Sequence, residues 1–218
     1  MSGFWNRFLV LSLLLAGFAA GLSAHPRPAA RSAELPRVTP AEIARQKAIG
    51  LPTAPIKIED FTDFECPACR ALYMETLRPL INDYVATGKV YLVHHDFPLD
   101  MHPYSHKAAY YADAAAAIGH FEAVERVLFT HQPEWQSNGK ITPFLATVLT
   151  PEQLKQVEEL ARTREVQDAV AQDVRLGQQL NVRQTPTMFI THKGKRTPVV
   201  GVVQYSILRG YLDALLRQ

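Results

Sequence analysis

The spacing of apolar residues over 55–97 predicts a strand, a helix and a second strand. Apolar and polar positions alternate over 55–64, the apolar residues of 67–88 recur at a helical period, and 89–97 contains the short apolar run 90–93. A strand, a helix and a strand of these lengths form a βαβ unit, whose two strands run parallel. Pro79 lies inside the helical pattern and is expected to kink that helix.

From residue 103 to residue 180 the pattern is helical throughout. Capping chemistry marks two of the helix starts, because Thr142 and Thr150 each stand directly before a proline. The predicted helices cover, in chain order, 105–118, 121–130, a segment that opens at Thr142, and 150–180 with a break near Thr163.

The C-terminal part returns to strand signals and closes with a helix. Residues 187–191 and 197–203 predict two strands around a Lys193-Gly194 turn, which together form a hairpin. Apolar residues at helical spacing over 208–215 mark a closing amphipathic helix. The order of elements is therefore β–α–β, a helical block, and β–β–α.

A short helix is also predicted before the first strand. Thr39-Pro40-Ala41-Glu42 carries the residues of a capping box, with Pro40 suited to the first helical turn. We expect this helix to run to about Ala48 and to end at Gly50.

Residues 1–24 have the composition of a secretory signal. Arg7 supplies a positive start, 8–20 is a short apolar stretch, and Leu-Ser-Ala at 22–24 offers a small-residue cleavage site. The apolar stretch is shorter than the ~20 residues that span a bilayer. We therefore expect a removed signal and a periplasmic or otherwise exported protein; a retained signal that anchors the chain is the alternative. Export places the chain in an oxidising compartment, where disulfides persist.

The nearly neutral net charge gives no indication of a strongly charged partner. The chain carries 23 Lys and Arg against 21 Asp and Glu, and Arg7 is the one charged residue of 1–24. The composition therefore gives no bulk electrostatic argument for nucleic acid or for an anionic membrane surface.

Cys66 and Cys69 are the only cysteines of the chain, and they stand between the first strand and its helix. The thiolate is the nucleophile of disulfide exchange, and a helix N-terminus stabilises negative charge. Cys66 falls at the helix start, and Pro67 suits the first helical position. We therefore predict thiol–disulfide exchange, with Cys66 as the attacking residue and Cys69, one turn further on, as the resolving residue.

Two structural explanations of the cysteine pair stay open beside exchange chemistry. A disulfide that only stabilises the fold is one, although closing a four-residue loop contributes roughly 2 kcal/mol, against about 3 kcal/mol for 15 residues. A zinc site is the other, but structural zinc takes four ligands and the chain has no second cysteine pair. His94 and His95 point to opposite faces of a strand, so they cannot chelate as neighbours, and we interpret them as ordinary polar residues.

The chain from about Pro55 onward resembles the exported DsbA-like branch of the thioredoxin superfamily. Four features carry the resemblance: the strand that ends in Cys66-Pro67-Ala68-Cys69, the segment 97–103 before an alanine-rich helix, Gln184-Thr185-Pro186-Thr187 before an apolar strand, and the β–β–α ending.

This resemblance implies an α/β, thioredoxin-like fold with βαβ and ββα halves on a central mixed sheet, interrupted by an all-helical insertion. The implied division is a signal peptide at 1–24, a leader and short helix at 25–52, a first thioredoxin-like part at 53–100, the helical insertion at 101–178, and a second thioredoxin-like part at 179–218.

The resemblance also implies roles for particular residues. Pro186 is expected to form a cis peptide bond beside Cys66, and Thr185, Pro186, Pro67 and Ala68 to line the substrate-binding surface, where backbone groups pair with a substrate segment. No cofactor and no bound metal are expected.

Asp60 stands where the family often has a buried acid beneath the cysteines. Buried there, its carboxyl has a raised pKa and relays the proton of Cys69, which makes it a third catalytic candidate. Glu65 adjoins Cys66, where its charge opposes thiolate formation unless the side chain points to solvent, and the sequence leaves its direction open.

Two departures bear on the direction of electron flow. Pro-Ala between the cysteines lacks the imidazole of the best-known oxidising members, and Thr185 before Pro186 is similar to the isomerase-like relatives. The segment 25–55 is too short for the dimerisation domain of dimeric isomerases, so we expect a monomer.

The preferred hypothesis is an oxidase that forms disulfides in exported cysteine-containing proteins and is recycled by a membrane redox partner. A disulfide reductase or isomerase is the alternative, and a non-catalytic binding module or chaperone is a lesser one.

Overall fold

The structure, a computed structural model, describes residue 36 and residues 38–218. The predicted signal and most of the leader lie outside these residues. The first helix, α1 (Pro40–Gln46), carries the predicted capping box: the Thr39 hydroxyl accepts from the Glu42 N–H and the Glu42 carboxylate accepts from the Thr39 N–H. It ends two residues earlier than predicted, because Ala48–Ile49 forms a short strand, β1, that the sequence analysis missed.

Five strands form one mixed sheet in the described part of the chain. The remaining strands are β2 (Ile56–Thr62), β3 (Val90–Asp96), β4 (Thr187–His192) and β5 (Lys195–Val200). The order across the sheet is β1-β3-β2-β4-β5. The central pair, β2 and β3, is parallel, and the three other pairs are antiparallel.

The sheet confirms the predicted βαβ unit and the predicted hairpin. The last strand runs over 195–200 rather than 197–203, so the turn at Lys193 and Gly194 is tighter than predicted. The two turn residues have positive φ, 48° and 78°. Strand β2 is central and is buried on both faces, so Glu59 and Phe61 are buried as well as Ile58.

The helix after the cysteines alternates between α-helical and π-helical turns. It consists of α2 (Pro67–Leu72), π1 (Tyr73–Leu77), α3 (Arg78–Leu80) and π2 (Ile81–Val85). Pro79 has no N–H to donate, so the regular hydrogen-bond ladder is interrupted at that point of the helix. The sequence predicted a kink at Pro79, and the structure has a π segment on each side of the α-helical turn that contains it.

The predicted helical block is confirmed as six helices within the described residues. Their bounds are α4 (Ser105–Ala117), α5 (Phe121–Thr130), α6 (Gln132–Trp135), α7 (Thr142–Leu145), α8 (Pro151–Leu160) and α9 (Arg164–Gln179). A second capping box, between Thr150 and Gln153, starts α8. The break predicted near Thr163 separates α8 from α9, and the closing helix is α10 (Tyr205–Leu216).

Two apolar clusters cover the two faces of the sheet. The larger cluster joins one face to the helix after the cysteines, to α10 and to the helical block; among its fully buried members are Ile58, Leu80 and Leu128. The smaller cluster includes Phe61 and Phe189, with Val174 of α9 packed against it. None of the helices formed by residues 38–218 is both long enough and apolar enough to cross a membrane.

Candidate active site

The end of β2 delivers Cys66 to the first position of a helix. Cys66 is the N-cap residue of α2, with φ −74° and ψ 120°, and Pro67 follows in the first turn. The Cys66 N–H donates to the Asp63 carbonyl at 3.1 Å, and the Cys66 carbonyl accepts the first helical N–H, that of Arg70, at 3.1 Å. The thiol therefore sits where unpaired helix N–H groups favour negative charge.

Cys66 is the thiol of the pair that favours ionisation. The Cys66 thiol donates to the Thr185 carbonyl oxygen at 3.6 Å and is 7% exposed. A hydrogen bond from the Cys69 thiol, then hydrogen bonds from Thr185 and from the N–H groups of Cys69 and Ala68, lower the pKa of Cys66 to about 5 against the effect of burial. Cys66 thus has the low pKa that a nucleophilic cysteine needs, although only 7% of the residue is exposed.

Cys69 has the opposite environment. Both cysteines are free thiols in this structure, and Cys69 is 1% exposed. Burial, and then the hydrogen bond to Cys66 and the negative charge of Cys66, raise the pKa of Cys69 well above its ordinary value. One backbone group faces its sulfur, because the Asp63 N–H donates to Cys69 Sγ at 3.4 Å. The pair is therefore asymmetric, with one thiol poised to ionise and one held neutral.

The loop before β4 lies against Cys66. The Thr185–Pro186 peptide bond is cis, and the Pro186 carbonyl accepts the Gly201 N–H at 2.8 Å. The Thr185 side chain is buried, and while Cys66 is a thiol the Thr185 hydroxyl has no hydrogen-bond partner among the residues that the structure describes, so it can donate to the Cys66 thiolate. The predicted surface residues at 67–68 and 185–186 therefore lie around one sulfur, with Pro67 exposed and Ala68 half-buried.

Asp60 is buried within the sheet. It pairs with His94 of β3 and with Met188 of β4, and it is 4% exposed. Burial raises the pKa of Asp60 to about 7, with smaller effects from His94 and Glu125. Its Oδ1 atom has no hydrogen-bond partner in residues 38–218. The environment is the one expected for a proton-relay acid, and the relay to Cys69 stays a prediction.

Two acidic residues that the sequence analysis did not assign hold the segment 99–105 beside the cysteines. The buried Asp63 carboxylate accepts from the N–H groups of Glu65 and Leu99, from Ser105 Oγ, and lies 2.7 Å from His102 Nδ1. Asp63 and Glu65 occur at alternate positions in the sequence, but their partners stand some forty residues away, so spacing alone could not reveal them.

The Glu65 side chain is turned inward, away from solvent. Glu65 is 6% exposed, and its carboxylate accepts the Tyr104 N–H at 2.6 Å. Burial raises the pKa of Glu65. The direction that the sequence left open is therefore toward the start of α4.

The prediction that His94 and His95 are ordinary polar residues is wrong, because both belong to a buried ionic network. His94 Nδ1 lies 3.0 Å from Glu125 Oε1, and His95 Nδ1 lies 2.7 Å from Asp173 Oδ1. Burial opposes protonation of His94, but Asp96 and Glu125 raise its pKa to about 10. Periodicity placed the two rings on opposite faces and could not show that both faces of β3 are buried.

Lys47 is the cation at the centre of this network. Its Nζ lies 2.6 Å from Asp96, 2.6 Å from Asp173 and 2.9 Å from Asp113, and its side chain is 1% exposed. These carboxylates come from β3, α9 and α4, so one side chain connects the sheet with the helical block. No group of His, Cys, Asp and Glu side chains within the described residues has the arrangement of a metal site.

The sequence of this chain is similar to those of thioredoxin-like proteins. The family model described as Thioredoxin matches residues 43–200. A probable disulfide bond formation protein D of Bacillus cereus is 24% identical over 150 residues, 66% of this chain and 69% of that protein. Na(+)/H(+) antiporter NhaA 3 of Salinispora tropica is 29% identical over 182 residues, 83% of this chain but 27% of that protein. Nothing about ion transport follows from a match to so small a part.

Solved structures share the fold. Alpha-DsbA1 of Wolbachia pipientis superposes with a TM-score of 0.67 at 19% identity, covering 78% of this chain and 89% of that one. BdbD of Bacillus subtilis gives 0.64 at 20% identity, covering 79% and 94%. A thioredoxin-like oxidoreductase from Silicibacter pomeroyi gives 0.64 at 25% identity, covering 78% and 92%. The predicted thioredoxin-like fold is thereby confirmed.

Proposed function

The chain belongs to the thioredoxin family and is a DsbA-like protein disulfide oxidoreductase, and we propose that it works as an oxidase that forms disulfides in other proteins. Cys66 and Cys69 are the proposed redox-active pair. Cys66 forms the mixed disulfide with the substrate. When the pair reduces a substrate disulfide instead of forming one, Cys69 attacks Cys66 and resolves that mixed disulfide. No cofactor is required, because the electrons move between sulfur atoms only.

The proposed cycle balances in atoms and electrons. A substrate thiolate attacks Cys66 Sγ of the Cys66–Cys69 disulfide, a substrate–Cys66 bond forms, and Cys69 leaves as a thiolate that takes up a proton. A second substrate thiolate then attacks the substrate sulfur of the mixed disulfide and releases the Cys66 thiolate. The substrate loses two electrons and gains a disulfide, and the cysteine pair of this chain is reduced.

One observation carries the oxidase assignment. Hydrogen bonds from the Cys69 thiol, from Thr185 and from helix N–H groups lower the pKa of Cys66, which stabilises the reduced form of the pair at neutral pH. A protein whose reduced form is stabilised is a strong oxidant, because it accepts electrons readily. The Asp63 N–H at 3.4 Å from Cys69 Sγ adds a donor to the sulfur that leaves.

A reductase or isomerase is the second candidate. Ala68 places no polar side chain between the cysteines, and Thr185 rather than an apolar residue precedes Pro186. If the hydrogen bonds to Cys66 stabilise its thiolate less than proposed, the disulfide form prevails and the pair donates electrons instead. The redox potential of the Cys66–Cys69 pair decides between the oxidase and the reductase or isomerase.

The proposed setting is outside the cytoplasm. We propose that residues 1–24 are removed on export, and that the thioredoxin-like parts 53–100 and 179–218 enclose the insertion 101–178. The proposed substrates are exported proteins with cysteines, and the reduced pair passes its electrons to a membrane redox partner. Thr185, Pro186, Pro67 and Ala68 are the proposed substrate-contact residues of a monomeric enzyme.

The equilibrium of the Cys66–Cys69 disulfide with glutathione tests the proposal. A potential of about −120 mV supports an oxidase, and one of about −270 mV supports a reductant that needs an electron supply. A pair that does not exchange with glutathione at all would leave only a structural disulfide or a binding module. Oxidation of a reduced, unfolded substrate protein by the purified chain gives an independent check.

A further inference from the structure

We propose that Gln132, in the helical block, is a positioning residue that holds the backbone around Cys66 in the geometry that favours the Cys66 thiolate. This inference rests on the proposed function and adds a residue that the cysteine motif does not contain. It also assigns the helical block a part in the chemistry of the cysteine pair.

The contacts of Gln132 are made to the backbone on both sides of Glu65. Gln132 is 2% exposed. Its Nε2 donates to the Phe64 carbonyl at 2.7 Å and to the Cys66 carbonyl at 3.0 Å. Both N–H groups of the amide are therefore used on one short stretch of chain, and that stretch leads directly to the reactive sulfur.

The helical block holds Gln132 firmly in place. Gln132 is the first residue of α6, whose Trp135 is fully buried and donates from Nε1 to the Leu128 carbonyl at 2.8 Å. Phe129, just before α6, packs against Phe64 with ring centroids 5.0 Å apart. The amide is therefore presented by a packed scaffold, and the chain at 64–66 adjusts to it.

A second bond ties the same region to the helix that follows the cysteines. Arg70 Nε donates to the Phe129 carbonyl at 2.9 Å, and the Tyr73 and Phe129 rings stack at 4.7 Å. If the Gln132 amide is removed, the helical block therefore stays in contact with α2. The local effect falls on the two carbonyl groups that lose their donor.

Loss of these donors acts on Cys66 in two ways. The Cys66 carbonyl opens α2, so its freedom to rotate changes the direction of the N–H groups of Ala68 and Cys69 that stabilise the thiolate. Hydrogen bonds weaken steeply with distance and angle, so small rotations matter. The Phe64 carbonyl oxygen is left without a donor from the described residues, and the Cys66 carbonyl keeps only the Arg70 N–H, so both oxygens add a less compensated dipole near the thiolate. Both effects disfavour the thiolate relative to the thiol.

The first test replaces Gln132 by methionine, which has similar length and no donor. The ultraviolet absorbance of the thiolate is titrated in the full chain, and the equilibrium of the cysteine pair with glutathione is measured. For Gln132→Met we expect the titration midpoint of Cys66 to rise and the equilibrium to shift about three- to tenfold toward the disulfide form, the scale of one or two lost hydrogen bonds.

Gln136→Met is the matched control. Gln136 lies one turn further on, directly after α6, and its side chain makes no hydrogen bond to any described residue. The same chemical change there should leave the titration and the glutathione equilibrium at their wild-type values. Equal shifts in both variants, or no shift in Gln132→Met, would overturn the proposal.

Gln132→Glu keeps the proposal testable if Gln132→Met does not fold. An ionised carboxylate would face two carbonyl oxygens, whereas a protonated carboxyl still donates one hydrogen bond. We therefore expect the shift of the glutathione equilibrium, relative to wild type, to grow as pH rises. A shift that is absent or the same at every pH would contradict the positioning role.

Failure of the oxidase proposal gives a different result. A wild-type potential in the reductant range would overturn the oxidase function, while the difference between Gln132→Met and Gln136→Met would still decide the role of Gln132. If the wild-type potential is oxidising and Gln132→Met and Gln136→Met give the same glutathione equilibrium, the positioning role of Gln132 is overturned and the oxidase function stands.

Discussion

Cys66 Sγ lies 3.6 Å from the carbonyl oxygen of Thr185, although the two residues are 119 positions apart. The contact depends on the antiparallel pairing of β2 with β4, in which Phe61 stands opposite Thr187. The loop before β4 and the loop after β2 therefore meet at one edge of the sheet. The thiol chemistry of the N-terminal half is thus completed by the C-terminal half.

Thr185→Val tests this relationship through the side chain. The substitution removes a buried hydroxyl that has no other partner in the described part of the chain. A hydrogen bond from the Thr185 hydroxyl to the Cys66 thiolate contributes to the low pKa of Cys66, so we expect that pKa to rise by about one unit, the size of one hydrogen bond to a charged group. Titration of the thiolate absorbance measures the change.

Thr191→Val is the control for that substitution. Thr191 lies on β4, the strand that follows the Thr185 loop, and its hydroxyl is likewise buried without a partner within residues 38–218. In the oxidised form, in which Cys66 carries no charge, both substitutions remove an unsatisfied hydroxyl, so neither should reduce the free energy of unfolding. An equal pKa rise in both variants, or none in Thr185→Val, would refute the contribution of Thr185.

Cys69→Ala separates the two cysteines by role. The hydrogen bond from the Cys69 thiol is the largest cause of the low pKa of Cys66, so its removal should raise that pKa from about 5 toward the ordinary value. The variant should also accumulate mixed disulfides when its Cys66 thiolate attacks substrate disulfides, because Cys69 no longer resolves them. Cys66→Ala should form none. Mixed disulfides on Cys69 in that variant would reverse the assignment.

The sequence predicted the elements well where periodicity and capping decide the structure. The βαβ unit, the capping boxes at Thr39 and Thr150 and the break near Thr163 depend on neighbours within a few residues, so they could be found without the fold. Strand β1 was missed because two residues give no periodicity, and it forms only by pairing Ile49 with Leu92 of β3.

The site was predictable to the extent that it lies in one motif. Cys66 and Cys69 could be assigned from spacing, and Thr185 only through resemblance to a known family. Asp63 and Gln132 could not be found, because their partners stand roughly 40 and 70 residues away. The ionic network around Lys47 was missed for a related reason. Burial of both faces of β3 is a property of the assembled helices and not of the strand.

Asp60→Asn should stabilise the fold at neutral and higher pH. The pKa of Asp60 is raised to about 7, above its value of ~3.9 in the unfolded chain. The native state therefore binds more protons between these values, and the free energy of unfolding falls as pH rises through that window. Relative to wild type, the variant should gain at most about 4 kcal/mol near pH 8 and little near pH 4.

Urea unfolding of the oxidised forms at both pH values checks this expectation, because the disulfide prevents titration of the cysteines. A variant that is less stable than wild type at pH 8 would contradict the assigned protonation of Asp60. If Asp60 also relays the proton of Cys69, resolution of the mixed disulfide should slow at neutral pH. An unchanged resolution rate would remove the relay and leave the stability effect.

Lys47→Met should strongly destabilise the protein. It removes the cation that pairs with Asp96, Asp113 and Asp173 and leaves their carboxyl groups buried. Removing one partner of a buried ion pair costs about 3–5 kcal/mol.

Lys57→Met is the control, because Lys57 pairs with Glu59 at 2.8 Å but its side chain is 41% exposed. Its expected loss is below about 1 kcal/mol. Similar urea midpoints for the two variants would contradict the central place of Lys47.

Two glycines in helices should respond in opposite directions to alanine. A Cβ on Gly177 of α9 would lie 2.5 Å from the ring of Phe97 and 3.1 Å from that of Phe61, whereas one on Gly210 of α10 meets no described atom within 4 Å. Gly210→Ala should raise the free energy of unfolding by up to about 1 kcal/mol through helix propensity. Gly177→Ala should lower it by about 1–3 kcal/mol through overpacking. Thermal unfolding of both variants tests the pair, and a stabilised Gly177→Ala would show that α9 can move away from the sheet.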